Sequence, residues 1–262
     1  MKKTIASAVG ALAIALTPEI NASDINIGAR APETNYQFDE RIGFSERDLN
    51  GSKTKAIVSN SILKYWNGDK LGMWAFVNVP YKEVSNDTGR SVGFGDVSLG
   101  LGPRGRIDLG EKGNLHWISY AGLNLPTGDT DNKPNLGNGR LDKKVGLFST
   151  YMTLDKKVGV DTSLEYNFTG ENNLGKKPSD ELYAGAIVNR KIANNWRLGV
   201  GSIGTLKQNG KNDGDYLLTA RGVLRFDHPS KKWHAVILAD KDISSRNMPS
   251  GYGVTGLVRY NF

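Results

Sequence analysis

Three histidines are the side chains of this sequence best suited to acid–base chemistry. His116, His228 and His234 each lie beside a short connection between two segments of alternating hydrophobicity. A hydrolase holds a nucleophile and a base, or a carboxylate and a histidine, at fixed geometry. No serine or acidic residue stands at a spacing that suggests such a triad, and the sequence has no HExxH motif and no phosphate-binding loop. The sequence therefore predicts that the protein is not an enzyme, and we expect no cofactor and no metal ion.

Charged side chains instead occupy every second position of several apolar segments. In 215–227, Arg221 and Arg225 alternate with Leu224 and Phe226. Successive side chains of a strand point to opposite faces, so such segments would have one apolar face and one charged face. Nine charged residues share this phase, and we treat them as candidates to line a pore: Arg104, Arg106, Asp108, Asp161, Glu165, Arg197, Arg221, Arg225 and Arg259.

Two interpretations of this charged face remain open. The arginines and acids could form ion pairs that brace the interior, which we favour for most of them. Alternatively, the arginines could form a cationic path that attracts anionic solutes by focusing the electric field.

The elements that must position these residues are twelve strand-like segments. Their connections alternate between short ones, such as Asn67-Gly68-Asp69, and long ones rich in Gly, Asn, Asp and Lys, such as 126–140. Membrane-spanning barrels combine short periplasmic turns with longer extracellular loops, and closure satisfies the backbone groups that hydrocarbon cannot. The segments cover residues 36–47, 54–66, 70–82, 95–109, 114–125, 142–154, 157–168, 181–191, 196–207, 215–227, 232–243 and 251–262. We therefore predict an all-β fold, a closed antiparallel transmembrane β-barrel of about 12 strands.

Aromatic residues cluster near both ends of the predicted strands, which is typical of the girdles that anchor a barrel at the two membrane interfaces. Trp66, Trp117, Trp196 and Trp233 stand beside short turns. His116 and His234 neighbour two of these tryptophans, so we expect both histidines at the interface as well.

The N-terminus predicts export. Lys2 and Lys3 precede an apolar run, and Pro18 and a small-residue stretch follow, as in a cleaved signal peptide. We predict a signal peptide at 1–22, an N-terminal periplasmic segment at 23–35 and the barrel at 36–262.

The chain has no cysteine, so its stability cannot come from disulfides. Its formal charge of +7 is spread over turns and alternate strand positions, and we expect no nucleic-acid partner.

Two motifs resemble a known family. The stretches GFGDVSLGLGPRGR (93–106) and AGLNLPTGDTD (121–131) are similar to the outer-membrane transporter barrels of the phenol meta-degradation pathway. The resemblance implies passage of aromatic or other small organic compounds across the outer membrane. From the residues alone, PTGD (126–129) suits the end of a strand, and we favour that structural role over contact with a solute.

These observations predict a monomeric bacterial outer-membrane barrel for passive passage of a small solute, aromatic or otherwise hydrophobic. The expected partners are outer-membrane lipid, the solute and the barrel assembly machinery, since the last residues, GYGVTGLVRYNF, resemble an outer-membrane assembly signal. Three alternatives remain: a narrow anion-preferring porin, a surface-binding or structural barrel with a plugged lumen, and an outer-membrane hydrolase, the weakest of the three.

Overall fold

The structure is a computed structural model of the 262-residue chain. It describes residues 36–68, 70–130, 134–172, 175, 177–210 and 212–262. The predicted signal peptide and N-terminal periplasmic segment lie outside these residues. Within them, no helix is long and apolar enough to cross a membrane.

Thirteen antiparallel strands form a single sheet in the described part of the chain. A single turn of 3₁₀-helix at Gly110–Lys112 interrupts the connection between the fifth and sixth strands. The strands are β1 (Tyr36–Leu49), β2 (Ser52–Trp66), β3 (Leu71–Asn86), β4 (Gly89–Phe94), β5 (Val97–Asp108), β6 (Asn114–Leu125), β7 (Asp142–Met152), β8 (Val158–Phe168), β9 (Asp180–Ala193), β10 (Trp196–Gln208), β11 (Tyr216–Asp227), β12 (Trp233–Arg246) and β13 (Ser250–Asn261).

The sheet closes on itself. β1 pairs with β13 from Gln37 opposite Asn261 to Asp48 opposite Ser250, and consecutive strands pair along the rest of the sheet except at β4 and β5. β4 and β5 both pair with β3, so together they form one wall strand that is interrupted at Gly95 and Asp96. The fold is therefore a closed barrel of twelve wall strands, as predicted. Residues 83–94, which lie between two of the predicted strands, instead continue β3 into a hairpin with β4.

Tight turns join the strands at the end where the connections are short. Gly68 has a φ of 69° and follows Asn67, whose Oδ1 accepts the Met73 N–H at 2.6 Å. In the turn between β7 and β8, the Lys157 N–H and the Thr153 hydroxyl donate to Asp155. These hydrogen bonds favour the ionised carboxylate and hold the pKa of Asp155 below its usual value.

The outer face of the barrel is apolar, with aromatic residues near both ends. Tyr36 and Phe262 stack across the seam between β1 and β13 at the short-turn end, and Phe44 contacts Tyr252 at the other end. Such a surface matches a lipid environment.

The interfacial placement predicted for three residues is wrong. Trp66 is 3% exposed and points into the barrel, where it packs against other aromatic rings. His234 also lies on the inner side, where its Nδ1 lies 2.6 Å from Asp227 Oδ1, and His116 lies in the inward phase of β6. Trp196, which is 42% exposed on the outer face, fits the predicted girdle.

Candidate functional site: the barrel lumen

The two sequence motifs meet at the interruption between β4 and β5. Asp96 Oδ1 accepts the Gly128 N–H at 2.9 Å and Asp96 Oδ2 accepts the Asn138 N–H at 2.5 Å. Thr127 Oγ1 accepts the Val97 N–H at 2.9 Å. Because Asp96 is a carboxylate that is 7% exposed, the two bonds that it accepts are charge-assisted bonds of the strong kind. We call Asp96, Thr127, Gly128 and Asn138 the loop clamp.

Glycines allow the clamp to form. A Cβ on Gly128 would lie 2.7 Å from the Gly137 Cα, and a Cβ on Gly137 would lie 2.6 Å from Asp96 Oδ1. Only glycine permits this approach of two backbones. PTGD (126–129) therefore has the structural role that we favoured. Its hydrogen-bond partner is the GFGD motif (93–96).

The clamp holds the end of the long connection between β6 and β7 inside the barrel. Leu136 is 1% exposed and packs on Ala56, Val58 and Val84, which are buried residues of the β2 and β3 inner wall. Arg140 is 9% exposed and pairs with Asp142, Nε to Oδ1 at 2.8 Å. Residues 134–140 thus fill part of the lumen near its long-loop end.

Aromatic rings cover one sector of the inner wall. Trp74 lies 4.9 Å from Phe76 and 5.7 Å from Tyr120, measured between ring centroids, and Tyr120 stacks on Phe148 at 5.5 Å. We call this buried cluster the aromatic wall, and its members are Ile62, Trp66, Trp74, Phe76, Ile118, Tyr120 and Phe148. A second buried cluster on the inner side is aliphatic and consists of Ile187, Val223, Val236, Leu238 and Leu257.

Seven of the nine predicted site residues lie on the inner side of the wall. The remaining two of the nine, Arg106 and Asp108, are exposed at the short-turn end of β5. Arg106 donates to Asn114 Oδ1, and Asp108 Oδ1 accepts the Gly110 N–H. The inward seven are Arg104, Asp161, Glu165, Arg197, Arg221, Arg225 and Arg259. That these residues line a solute path stays a prediction.

Several inward arginines are ion-paired. Arg221 forms a bidentate pair with Asp240 at 2.7 Å, and Arg225 Nε donates to Asp227 at 2.6 Å. Arg104 lies over the Trp66 ring, 5.3 Å from its centroid.

The seam carries a buried ion network. Asp39 is 0% exposed, and its carboxylate accepts from Arg259 at 2.8 and 2.9 Å and from Lys64 at 2.7 Å. Arg41 approaches the same carboxylate at 3.4 Å. Because these residues belong to β1, β2 and β13, the network ties the first and last strands together.

A cavity lies on the inner wall near the short-turn end. Its volume is about 20 Å³, which is room for about one water molecule. Arg197, Arg225 and Asp161, three of the predicted site residues, line it together with Asp227. The remaining lining residues are Thr150, Met152, Ile187, Asn189, Gly199 and Val223.

Sequence reasoning missed the aromatic wall and most of the cavity lining. In β3 both faces are apolar, since Trp74 and Phe76 point inward while Met73 and Val77 point outward. Apolar residues in both phases of a strand were the available signal for an apolar interior, because a water-filled bore would require one polar phase.

A closed sheet with an apolar exterior and a lined interior defines a bacterial outer-membrane β-barrel. A family model described as "Putative MetA-pathway of phenol degradation" matches residues 48–257, and the chain belongs to this family. The match includes both motifs of the loop clamp and confirms the resemblance. No curated protein matches the chain.

Solved structures of channels and translocators share the fold. The COG4313 outer membrane channel from Pseudomonas putida F1 has a TM-score of 0.75 at 16% identity, over 89% of this chain and 97% of that chain. The translocator domain of the autotransporter NalP from Neisseria meningitidis has a TM-score of 0.54 at 13% identity, over 100% and 98%. The CymD monoaromatic hydrocarbon channel has a TM-score of 0.51 at 10% identity, over 93% of both chains.

Proposed function

We propose that this barrel is a passive outer-membrane channel for small organic solutes, aromatic or otherwise hydrophobic, and that it is not an enzyme. The observation that carries the proposal is the aromatic wall inside a closed barrel. Rings such as Trp74, Phe76 and Tyr120 face the interior rather than lipid, where they pack against one another and make this sector of the interior apolar.

The descriptions of the similar structures and of the family support the proposal. Two solved structures of the same fold are described as an outer membrane channel and as a monoaromatic hydrocarbon channel. The family description refers to phenol degradation. No group of His, Cys, Asp or Glu that could hold a metal ion occurs among the residues that the structure describes.

The ion pairs bear on the anion-preferring alternative. An attractive path for anions needs guanidinium groups whose charge is not compensated nearby. Arg221, Arg225 and Arg259 each have a carboxylate at hydrogen-bond distance. This pairing favours a bracing role for these arginines.

Uptake by intact Gram-negative cells tests the function, because lipopolysaccharide slows the entry of apolar solutes that would leak through simple vesicles. Cells expressing the protein should accumulate a labelled monoaromatic compound faster than cells without it, and should not gain uptake of a sugar of similar mass. An unchanged rate, with the folded barrel present in the outer membrane, would overturn the proposal.

A matched pair of variants tests the role of the aromatic wall. Phe148→Leu removes an inward ring that stacks on Tyr120, and we expect it to slow aromatic uptake several-fold. Phe168→Leu makes the same change on the outer face, where Phe168 is 47% exposed, and should leave uptake unchanged. Equal effects of the two substitutions would contradict a role for the wall.

A further inference from the structure

A strip of exposed cations lies along one half of the short-turn end of the barrel. It comprises residues 154–157, 190–195 and 228–232, which form or flank the turns β7–β8, β9–β10 and β11–β12. In these three segments Asp155 is the only acid, and it lies 3.4 Å from Lys157. We call this surface the basic strip, and its cations are Lys156, Lys157, Arg190, Lys191, Lys231 and Lys232.

The three turns adjoin one another, so cations that are scattered in the sequence form one surface. The Lys191 N–H donates to the Lys157 carbonyl at 2.7 Å, and the Asp227 N–H donates to the Asn195 carbonyl at 2.8 Å. Neighbouring strands lie about 4.8 Å apart, so the ends of β7 to β12 span an arc of roughly 25 Å. Asp227 itself belongs to the inner side, where it pairs with Arg225, and does not offset the charge of the strip.

Aromatic rings lie on the outer face directly beside the basic strip. Trp196 contacts Phe226, which contacts Trp233, and Trp233 stacks on His228, with ring centroids 4.7 to 5.4 Å apart. Tryptophan side chains at a barrel end mark the level of the lipid head groups. The cations beside them therefore lie at the depth of lipid phosphates, and the long side chain of Arg190, in the outward phase of β9, can extend to the same level.

The other half of the short-turn end lacks this charge. Residues 108–113, in the turn between β5 and β6, contain Asp108, Glu111 and Lys112 and so have a formal charge of −1. Residues 67–70, between β2 and β3, contain one acid and one lysine. The positive charge is thus confined to one arc, which points to a ligand that binds there and not around the whole end of the barrel.

We propose that the basic strip binds acidic phospholipids of the periplasmic leaflet. Short turns lie on the periplasmic side of outer-membrane barrels. Clusters of about four to eight Lys or Arg beside a membrane-spanning segment bind anionic head groups, and this strip has six such cations. The phosphates lie among the lysine and arginine side chains, and the acyl chains lie against Trp196 and Trp233. The inference is independent of the proposed channel function.

Quenching of tryptophan fluorescence by brominated phospholipids tests this surface, because brominated acyl chains quench only nearby rings. The barrel is reconstituted in vesicles of phosphatidylglycerol and phosphatidylcholine, with one lipid brominated at a time. Trp117→Phe retains Trp196 and Trp233 beside the strip. Trp196→Phe/Trp233→Phe retains Trp117, which lies in the outward phase of β6 near the β5–β6 turn. The two inward tryptophans, Trp66 and Trp74, are common to both variants.

We expect the Trp117→Phe variant to show an affinity for phosphatidylglycerol about fivefold that for phosphatidylcholine, since each cation near the head groups adds to the attraction. The variant that retains Trp117 should show nearly equal affinities. Raising the salt from 0.1 M to 1 M shortens the Debye length from about 10 Å to about 3 Å and should reduce the preference at the strip. No preference at the strip, or the same preference in both variants, would overturn the proposal.

Removal of two cations provides the second test, made in the Trp117→Phe background. Lys191→Gln/Lys232→Gln should lower the preference for phosphatidylglycerol at least about twofold. Lys53→Gln/Lys55→Gln is the matched control, because both lysines are exposed at the long-loop end of β2, and it should leave the preference unchanged. Equal losses in the two double variants would show that the net charge of the protein, and not the strip, attracts the lipid.

Discussion

The hydroxyl of Tyr120 joins the aromatic wall to a buried carboxylate. It donates to Glu165, which is 1% exposed, and Lys144 Nζ lies 3.8 Å from the other carboxylate oxygen. Tyr120→Phe keeps the ring and removes one donor from this carboxylate. We expect a loss of about 1–3 kcal/mol in the free energy of unfolding, the cost of an incompletely satisfied buried acceptor.

Urea unfolding of the barrel in lipid vesicles measures this loss. Tyr65→Phe is the matched control, because Tyr65 lies on the outer face and is 36% exposed. It should change the unfolding free energy by less than about 0.5 kcal/mol, as is usual for surface substitutions. Similar losses in both variants would show that the Tyr120 hydroxyl has no special role.

At this scale the sequence predicted orientation better than contacts. The inward phase of Arg197, Arg221 and Arg259 followed from alternation, because a charge on the lipid face near the bilayer midplane costs roughly 2–4 kcal/mol. The partners of these side chains did not follow, since Asp39 and Arg259 lie 220 residues apart in the sequence. The predicted position of Trp66 was wrong for a different reason, because a tryptophan side chain suits either a membrane interface or a packed interior.

Among the elements, the loop clamp has the most direct consequence for the lumen. Asp96→Asn replaces a carboxylate that accepts two backbone N–H groups with an amide that has a single acceptor oxygen. The loss of one charge-assisted bond, worth about 1.5–3 kcal/mol, should let residues 134–140 leave the interior. Trypsin should then cleave after Arg140, which is 9% exposed in the clamped structure, and single-channel conductance should rise.

An exposed carboxylate provides the comparison for this substitution. Asp87 lies in the turn between β3 and β4, where it accepts a hydrogen bond from Ser52 at 3.2 Å. Asp87→Asn should leave both the cleavage after Arg140 and the conductance at wild-type values. If Asp96→Asn behaves in the same way, the clamp does not hold the segment in place.

The strands were predictable and the clamp was not. Apart from the hairpin of β3 and β4, alternation and turn residues gave each wall strand to within a few residues, because period-two patterning follows directly from the pleat. The clamp depends on contacts between residues 32 and 42 positions apart, and neither motif alone contains that information. PTGD therefore predicted a strand end correctly and gave no hint of its partner.

For the whole molecule, closure between β1 and β13 is the feature on which the proposed channel function depends. The natural chain has no cysteine, so an engineered pair can report on this seam without competing thiols. Gly43 is paired with Thr255 across it. A Cβ placed on Gly43 would lie 3.8 Å from the Thr255 Cβ, which is the usual separation in a disulfide.

The double variant Gly43→Cys/Thr255→Cys should therefore form a disulfide on mild oxidation, and non-reducing denaturing electrophoresis detects it as a shift in mobility that a reductant reverses. The pair Gly43→Cys/Val258→Cys should not cross-link, because Val258 is opposite Glu40 and is 54% exposed on the outer face. In two facing open sheets, β1 and β13 would be free edges and neither pair would react. Cross-linking of the first pair alone thus distinguishes a closed wall from an open one, and without a closed wall no interior exists for the aromatic wall or the cavity to line.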